Sequence, residues 1–164
     1  MNEVLNEKEK LINNSKTAIL ATSDNKGIPN SSYCPIYIDE DSNYYIYISE
    51  LSKHTINISS NPIISLMIIE DESHSENIFA RKRFIIDGEC SKINRDTKIW
   101  NQKIEKMESK FGETFSYLKN MKDFHLFKIV PQNGLLVYGF GKAFKITGSK
   151  LDCVMHINDK GHKN

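Results

Sequence analysis

Histidines and cysteines are the side chains of this sequence that we consider first as metal ligands. The chain has five histidines and three widely separated cysteines, Cys34, Cys90 and Cys153. Because the cysteines lack the Cys-x-x-Cys spacing of zinc sites, we expect reduced, structural thiols. Among the histidines, His162 follows Gly161 in a polar C-terminal segment, where the backbone is free to turn the imidazole toward a ligand. A solvated tail residue is the common alternative, and His156 is the second candidate ligand.

Arg81, Lys82 and Arg83 form a cluster of three consecutive cations. Neighbouring side chains of a strand point to opposite faces, so Arg81 and Arg83 are predicted to share one face and Lys82 to lie on the other. Two cations on one face could line a cleft that binds the acidic groups of a ligand. An edge strand that uses charge to discourage aggregation would show the same pattern.

Three hydroxyl groups and one cation lie close together in the sequence, where a predicted strand ends and a short predicted helix begins. They belong to Ser49, Ser52, Lys53 and Thr55. Hydroxyls, a cation and the free amides of a helix N-terminus together attract an anion. His54 lies in the same stretch, and its side chain points either into this site or to solvent. Asp123 precedes a predicted strand, where a turn or strand-end carboxylate is common.

Composition excludes several classes of function. The 22 Lys and Arg residues against 21 Asp and Glu give a net charge of +1, so the chain has no basic field to hold a nucleic acid. No apolar stretch reaches the ~18 residues of a membrane span, and the N-terminus lacks the apolar core of a signal peptide. We therefore expect a cytoplasmic protein without a membrane or nucleic-acid partner. Its 164 residues suit one domain.

The elements that must position these residues are predicted to be mostly strands, since β-branched and aromatic residues occur in short runs between turn residues. Strands are predicted over 16–23, 28–39, 44–48, 63–69, 83–93, 124–130 and 135–146. The continuous apolar run 63–69 indicates a central strand covered on both faces. Residues 131–134, Pro-Gln-Asn-Gly, are predicted to reverse the chain into the last strand.

Helices are predicted over 52–60, through Ile99 to Phe111 with a boundary at Gly112, and over 115–118. This pattern predicts a mostly β fold with peripheral helices, in which residues 1–148 form one closed or nearly closed antiparallel barrel and 149–164 form a C-terminal tail. The edges of such a barrel need covering. The N-terminal segment and a second copy of the chain are the candidates.

Several motifs in this order resemble a known family. They are Ile46 to Thr55, Asn61-Pro62, Phe79 to Arg83, Gly139 to Ala143, and Gly161-His162. The chain is similar to heme-utilisation proteins of the HugZ/HutZ type, which belong to the pyridoxamine 5'-phosphate oxidase-like, FMN-binding split-barrel superfamily. The similarity extends over nearly the whole chain from Thr17 onward.

The resemblance implies a homodimer of split barrels with two ligand sites in clefts between the subunits. In flavin-binding members the stretch that matches Ser49, Ser52, Lys53 and Thr55 holds the FMN phosphate. Members of the heme branch bind porphyrin in or near that cleft. An axial iron ligand in the C-terminal segment matches His162, an arginine near the porphyrin matches Arg83, and an acidic group that bonds the axial imidazole matches Asp123.

The function implied is that of a heme oxygenase-like enzyme that degrades heme for iron acquisition. Arg81, Arg83, Lys53 and His54 are then candidate contacts of the heme, and Arg83 and His162 are the candidate catalytic residues. Electrons must come from a separate donor, because nothing in the sequence indicates a reductase. An FMN-dependent oxidoreductase and a non-enzymatic heme storage or delivery protein are the alternatives.

Overall fold

The computed structural model describes residues 2–157 of the chain. Within that range the four helices are α1 (Asn2–Asn13), α2 (Lys53–Ser60), α3 (Lys98–Phe111) and α4 (Glu113–Leu118). The nine strands are β1 (Thr17–Ser23), β2 (Pro29–Pro35), β3 (Tyr37–Ile38), β4 (Tyr44–Ser49), β5 (Ile63–Ile69), β6 (Arg83–Ile93), β7 (Phe124–Val137), β8 (Ala143–Thr147) and β9 (Cys153–His156). Over residues 2–157, none of the helices has the length and apolar character needed to cross a membrane.

All nine strands belong to one antiparallel sheet. Its order is β2-β1-β5-β6-β7-β4-β3, and β8 and β9 extend it from β7. The two ends of this path, β2 and β3, are separated in sequence by Ile36 alone, whose N–H donates to the Lys16 carbonyl at 3.0 Å. The sheet therefore curls until its two ends meet along one continuous segment of chain. The predicted mostly β, split-barrel fold with peripheral helices is confirmed.

The reversal predicted at residues 131–134 is wrong. β7 continues through Pro131 and Gly134 as a single strand, and the chain reverses only between β7 and β8. The register with β6 shifts between Asp87 and Gly88, so β7 gains one residue there as a bulge. Proline has no N–H for a regular ladder and is tolerated at such a bulge. The turn-like composition thus marks an irregularity within a strand.

Two groups of helices cover different parts of the barrel. α1 packs mainly against β5 and β6, and its Val4 and Leu11 join the interior cluster that contains Leu20, Leu66 and Phe84. The N-terminal segment is predicted to cover an edge of the barrel, but β5 and β6 lie in the middle of the sheet, so α1 covers the interior cluster and not an edge strand. α3 and α4 pack outside β4 and β7 through a second cluster: Trp100, Ile104, Met107 and Phe115 against Tyr45, Tyr47 and Leu126.

The prediction that the apolar run of β5 is covered on both faces is wrong for the single chain. Ile64, Leu66 and Ile68 are buried inside the barrel, but the alternate residues are only partly buried, and Ile63 is 55% exposed. The outward face of β5 carries apolar side chains that nothing in residues 2–157 covers fully.

Candidate functional site

Two of the predicted site residues meet where β4 ends beside the start of β7. Ser49, the last residue of β4, pairs with Phe124, the first of β7. Its hydroxyl donates a hydrogen bond to the Asp123 carboxylate at 3.0 Å, and the Glu50 N–H donates to the Asp123 carbonyl at 2.7 Å. Antiparallel register thus joins two segments that are far apart in the sequence.

α2 begins at the same end of the barrel. The Thr55 hydroxyl is buried and donates to the Ser49 carbonyl at 2.6 Å, while the Ser49 hydroxyl also accepts from the Leu51 N–H at 3.2 Å. Ser52 is the N-terminal cap, and neither its hydroxyl nor the Lys53 ammonium has a hydrogen-bond partner among the described residues. Of the four predicted anion ligands, two are therefore engaged internally, and Ser52 and Lys53 are available to an external anion.

His54 points into the fold. Its Nδ1 lies 2.9 Å from the Ser32 hydroxyl, which in turn donates to the Leu20 carbonyl at 3.3 Å. Because the Ser32 proton is used in that bond, Nδ1 must carry the imidazole proton and Nε2 the lone pair. Nε2 is buried without a hydrogen-bond partner within residues 2–157, and burial lowers the pKa of His54. The ring is held neutral beside the start of α2.

His54→Gln should flatten the pH dependence of stability. Since the folded-state pKa is lowered, the unfolded chain takes up the His54 proton first as pH falls below about 6.5, and stability present above that pH is lost toward the lower folded-state pKa. Urea unfolding between pH 7.5 and 5 measures this loss. His74→Gln, at an exposed histidine, is the control that should keep the wild-type slope. Equal slopes in His54→Gln and wild type would contradict the assignment.

The cation cluster divides at the start of β6. The Arg81 guanidinium donates through Nε and Nη2 to the Glu70 carbonyl and lies 3.6 Å from Glu72. Arg81 ends a 3-10 turn, and β6 begins at Arg83, so the prediction that both arginines share one strand face is wrong. Arg83 is partly buried, donates to the Arg81 carbonyl at 3.0 Å, and pairs in register with Ile69 and Val137.

Arg83 lies on a broad apolar surface, which we name the uncovered face. One row of this face crosses seven strands in register: Tyr33, Ile19, Met67, Ile85, Leu135, Lys145 and Met155. The end residues Tyr33 and Met155 are 65% and 67% exposed, and the inner apolar residues are partly buried. The next row contains Ile69, Arg83 and Val137. A partly buried cation therefore stands among apolar side chains.

Arg83 and the Ser49–Asp123 pair lie far apart within one chain. Arg83 and Ile93 are the two ends of β6, and Ile93 pairs with Leu126 near the start of β7. An 11-residue strand with a rise of about 3.3 Å per residue separates its ends by roughly 33 Å. The structure therefore brings together Ser49, Thr55 and Asp123 but not Arg83, and one small ligand cannot touch both groups in the same subunit.

Of the two C-terminal candidate ligands, the structure describes His156 but not His162. His156 lies on β9, where its Nε2 is 2.9 Å from the Gly141 carbonyl and its ring packs on Phe144 with centroids 4.6 Å apart. The first part of the predicted tail is thus a strand paired with β8. Gly161 and His162 lie outside the described residues.

A cavity of about 830 Å³ between α1 and the 70–82 loop does not contain the predicted ligand site. Of the predicted site residues within 2–157, Arg81 alone lines it. Two of its lysines already pair with one carboxylate, since Glu7 contacts Lys10 at 2.8 Å and Lys82 at 3.2 Å. Because these charges already pair with one another, they are better explained as ion pairs that hold α1 against the loop than as a ligand site.

Sequence reasoning missed Ser32 and Arg95. Ser32 fixes the orientation of His54, and the Arg95 guanidinium contacts the segment that leads to Asp123. Both contacts join residues at least 22 positions apart, so no local spacing could have revealed them. The turn composition around Ser32 and the isolated arginine after β6 carry no chemical signature.

The family match, the sequence relative and the structural relatives of this chain all indicate the same family. Residues 5–138 match the pyridoxamine 5'-phosphate oxidase family. The chain is 40% identical over 148 residues to the heme oxygenase HutZ of Vibrio cholerae, covering 90% of this chain and 83% of that one. A crystal structure of Vibrio cholerae HutZ, described as a heme storage protein, has a TM-score of 0.79 at 36% identity over 84% of this chain and 97% of that chain. Campylobacter jejuni ChuZ has a TM-score of 0.88 at 31% identity, covering all of this chain and 67% of that one.

Proposed function

Because the chain belongs to the pyridoxamine 5'-phosphate oxidase family, we propose that its split barrel binds heme and degrades it to release iron. The single observation that carries this proposal is the 40% identity to the heme oxygenase HutZ over most of both chains. Storage without degradation is the competing function, since the HutZ crystal structure is described as that of a heme storage protein.

The residues present fit heme. A porphyrin needs apolar surface for its ring and cations for its two propionates, or the cost of removing the carboxylates from water is not recovered. Arg83 is a cation at the margin of the uncovered face, with the apolar side chains of Ile69 and Val137 beside it in register. Lys53 and Ser52 add a free cation and a free hydroxyl at the start of α2 within the described chain.

A homodimer could bring Arg83 of one subunit close to the Ser49–Asp123 pair of the other. One subunit holds Arg83 at one end of β6 and the Ser49–Asp123 pair near the other, roughly 33 Å away at ~3.3 Å per residue. A second copy packed on the uncovered face could bring the Arg83 end of one subunit near the α2 end of its partner. The broad apolar area supports this arrangement, because such faces are rarely left exposed to water.

The proposed roles follow from residue chemistry and from the resemblance. His162 would hold the heme iron, and Asp123 would accept a hydrogen bond from the other nitrogen of that imidazole, which would make the ring a stronger donor. Ser49 holds the Asp123 carboxylate in place through its 3.0 Å bond. Arg83 would supply a fixed positive charge to bound heme, which would stabilise negative charge that develops there. Bound heme itself supplies the oxygen and redox chemistry, with electrons from a separate donor.

An FMN-binding oxidoreductase is the second candidate. It is favoured by the family match and by Ser52 and Lys53, whose side chains have no partner among the described residues at the start of α2. A phosphate bound there would meet a hydroxyl, an ammonium and free helix amides. The two candidates differ in the ligand that the purified protein retains or takes up.

Titration with hemin and with FMN tests the proposal. We expect hemin to give a sharp Soret band at one heme per subunit and FMN to leave its fluorescence unchanged. Ascorbate added in air to the hemin complex should then bleach the Soret band and release ferrous iron, measured with ferrozine. Tight hemin binding without iron release would favour storage, and FMN quenching without a Soret band would favour the oxidoreductase.

A further inference from the structure

We propose that Arg95 is a positioning residue that sets the place of the Asp123 carboxylate. The inference rests on the proposed function, because Asp123 matters to heme only if heme is bound. Asp123 lies in the irregular segment between the end of α4 at Leu118 and the start of β7 at Phe124. A residue in such a segment needs other groups to fix it.

The Arg95 guanidinium is surrounded by the carbonyl groups of that segment. Nη1 donates to the Lys119 carbonyl at 3.0 Å, and Nη2 donates to the carbonyls of Met121 at 2.7 Å and Phe124 at 3.1 Å. The three acceptors lie on both sides of Asp123 in the sequence. One planar cation thus holds the backbone before and after the carboxylate.

Arg95 is itself fixed on its other sides. Its guanidinium lies over the Trp100 ring at 4.9 Å from the centroid, and Nη2 also lies 3.0 Å from the Tyr47 hydroxyl. That hydroxyl donates to the Lys119 carbonyl at 3.2 Å. Burial raises the pKa of Tyr47, so its proton stays on the oxygen for this bond. A rigid group therefore connects α3 and β4 to the segment that carries Asp123.

The position of Asp123 is transmitted to β4. Its carbonyl accepts from the Glu50 N–H at 2.7 Å and its carboxylate accepts from the Ser49 hydroxyl at 3.0 Å. If Arg95 fixes the segment, both hydrogen bonds depend on the guanidinium. The dependence is indirect, because Arg95 makes no hydrogen bond to Ser49 or Glu50 within residues 2–157. Lysine cannot replace it, since an ammonium is a point donor and cannot span three carbonyls in a fixed plane.

Hydrogen exchange in the heme-free protein tests the positioning directly. In Arg95→Lys the Glu50 amide should exchange about tenfold faster than in wild type, because its acceptor is no longer held, while the Leu66 amide in β5 should keep its wild-type rate. Lys122→Met is the matched control. It removes an exposed cation next to Asp123 that makes no hydrogen bond within residues 2–157, so it should leave Glu50 unchanged.

The same variants loaded with hemin test the connection to the site. Asp123→Asn should raise the midpoint potential of the bound heme, because the axial imidazole becomes a weaker donor, and Arg95→Lys should shift the potential in the same direction with hemin affinity changed less than about threefold. If Arg95→Lys does not fold, Tyr47→Phe removes one Arg95 contact and should give smaller shifts of the same sign in both measurements.

The outcomes separate this inference from the proposed function. An unchanged Glu50 exchange rate in Arg95→Lys, or equal acceleration at Glu50 and Leu66, would overturn the positioning role. Faster exchange at Glu50 alone, with no potential shift where Asp123→Asn gives one, would also overturn it. If the wild-type protein binds no hemin, the proposed function fails, and with it the role of Arg95 toward heme, while the exchange result still reports on the segment.

Discussion

Ile85→Asp is expected to disrupt the proposed homodimer and to weaken hemin binding about 100-fold. Ile85 stands in the middle of the uncovered face, between Met67 of β5 and Leu135 of β7 in register. A carboxylate at this position must lose its water when a second copy packs on it, and no cation pairs with it in that row except Lys145 two strands away. A penalty of about 3 kcal/mol corresponds to roughly 100-fold in the association constant.

The substitution should leave the barrel folded, because the Ile85 side chain points outward while Phe84 and Ile86 fill the interior. Gln102→Asp is the matched control, since it adds the same group at an exposed position of α3, outside the rows of the uncovered face. Sedimentation velocity gives the subunit number and a hemin titration gives the affinity. A variant that stays dimeric, or a monomer that binds hemin as tightly as wild type, would contradict a site shared by two copies.

The prediction for β5 failed for a reason that bears on this interface. The sequence 63–69 has apolar residues at every position but Ser65, which is typical of a strand buried on both faces. Within the single chain only the inward residues are buried. If a second copy covers the uncovered face, the apolar run reflects the assembly and not the subunit, and hydrophobic periodicity cannot distinguish the two.

The error in β7 has a different cause. Pro-Gln-Asn-Gly at 131–134 has turn composition, but tertiary contacts override it. Gly134 is needed where the Phe84 ring fills the barrel, since a Cβ there would lie 2.6 Å from Phe84 Cε2. Gly88 is needed opposite Pro131, since a Cβ would lie 2.7 Å from the Val130 carbonyl oxygen. These glycines, Gly134 in β7 and Gly88 in the neighbouring β6, permit close packing around the bulge, and their positions in the sequence alone cannot show that.

Sequence reasoning identified candidate site residues better than it identified which of them lie close together in the fold. The start of α2 and the boundary of α3 at Gly112 follow local rules of capping and periodicity, and the structure agrees with them. The Ser49–Asp123 bond depends on the register of β4 against β7, across 74 positions of sequence. No local pattern encodes that register, so the contact could only be found in the fold.

His162→Ala is expected to weaken hemin binding at least about 100-fold and to broaden the Soret band. Removing a hydrogen-bond partner of a metal ligand already costs about 10- to 100-fold in affinity, so loss of the ligand itself should cost more. Added imidazole should restore the sharp Soret band, because it can occupy the space of the lost side chain. Hemin titration with and without imidazole measures both effects.

His156→Ala is the comparison that decides between the two candidate ligands. His156 Nε2 is bonded to the Gly141 carbonyl at 2.9 Å, so that nitrogen is a proton donor and is not free to bind iron. Its loss should therefore change hemin affinity less than about threefold, in the range of a small local perturbation. The reverse pattern, with His162→Ala like wild type and His156→Ala defective, would move the iron ligand to β9 and require the His156–Gly141 bond to break when heme binds.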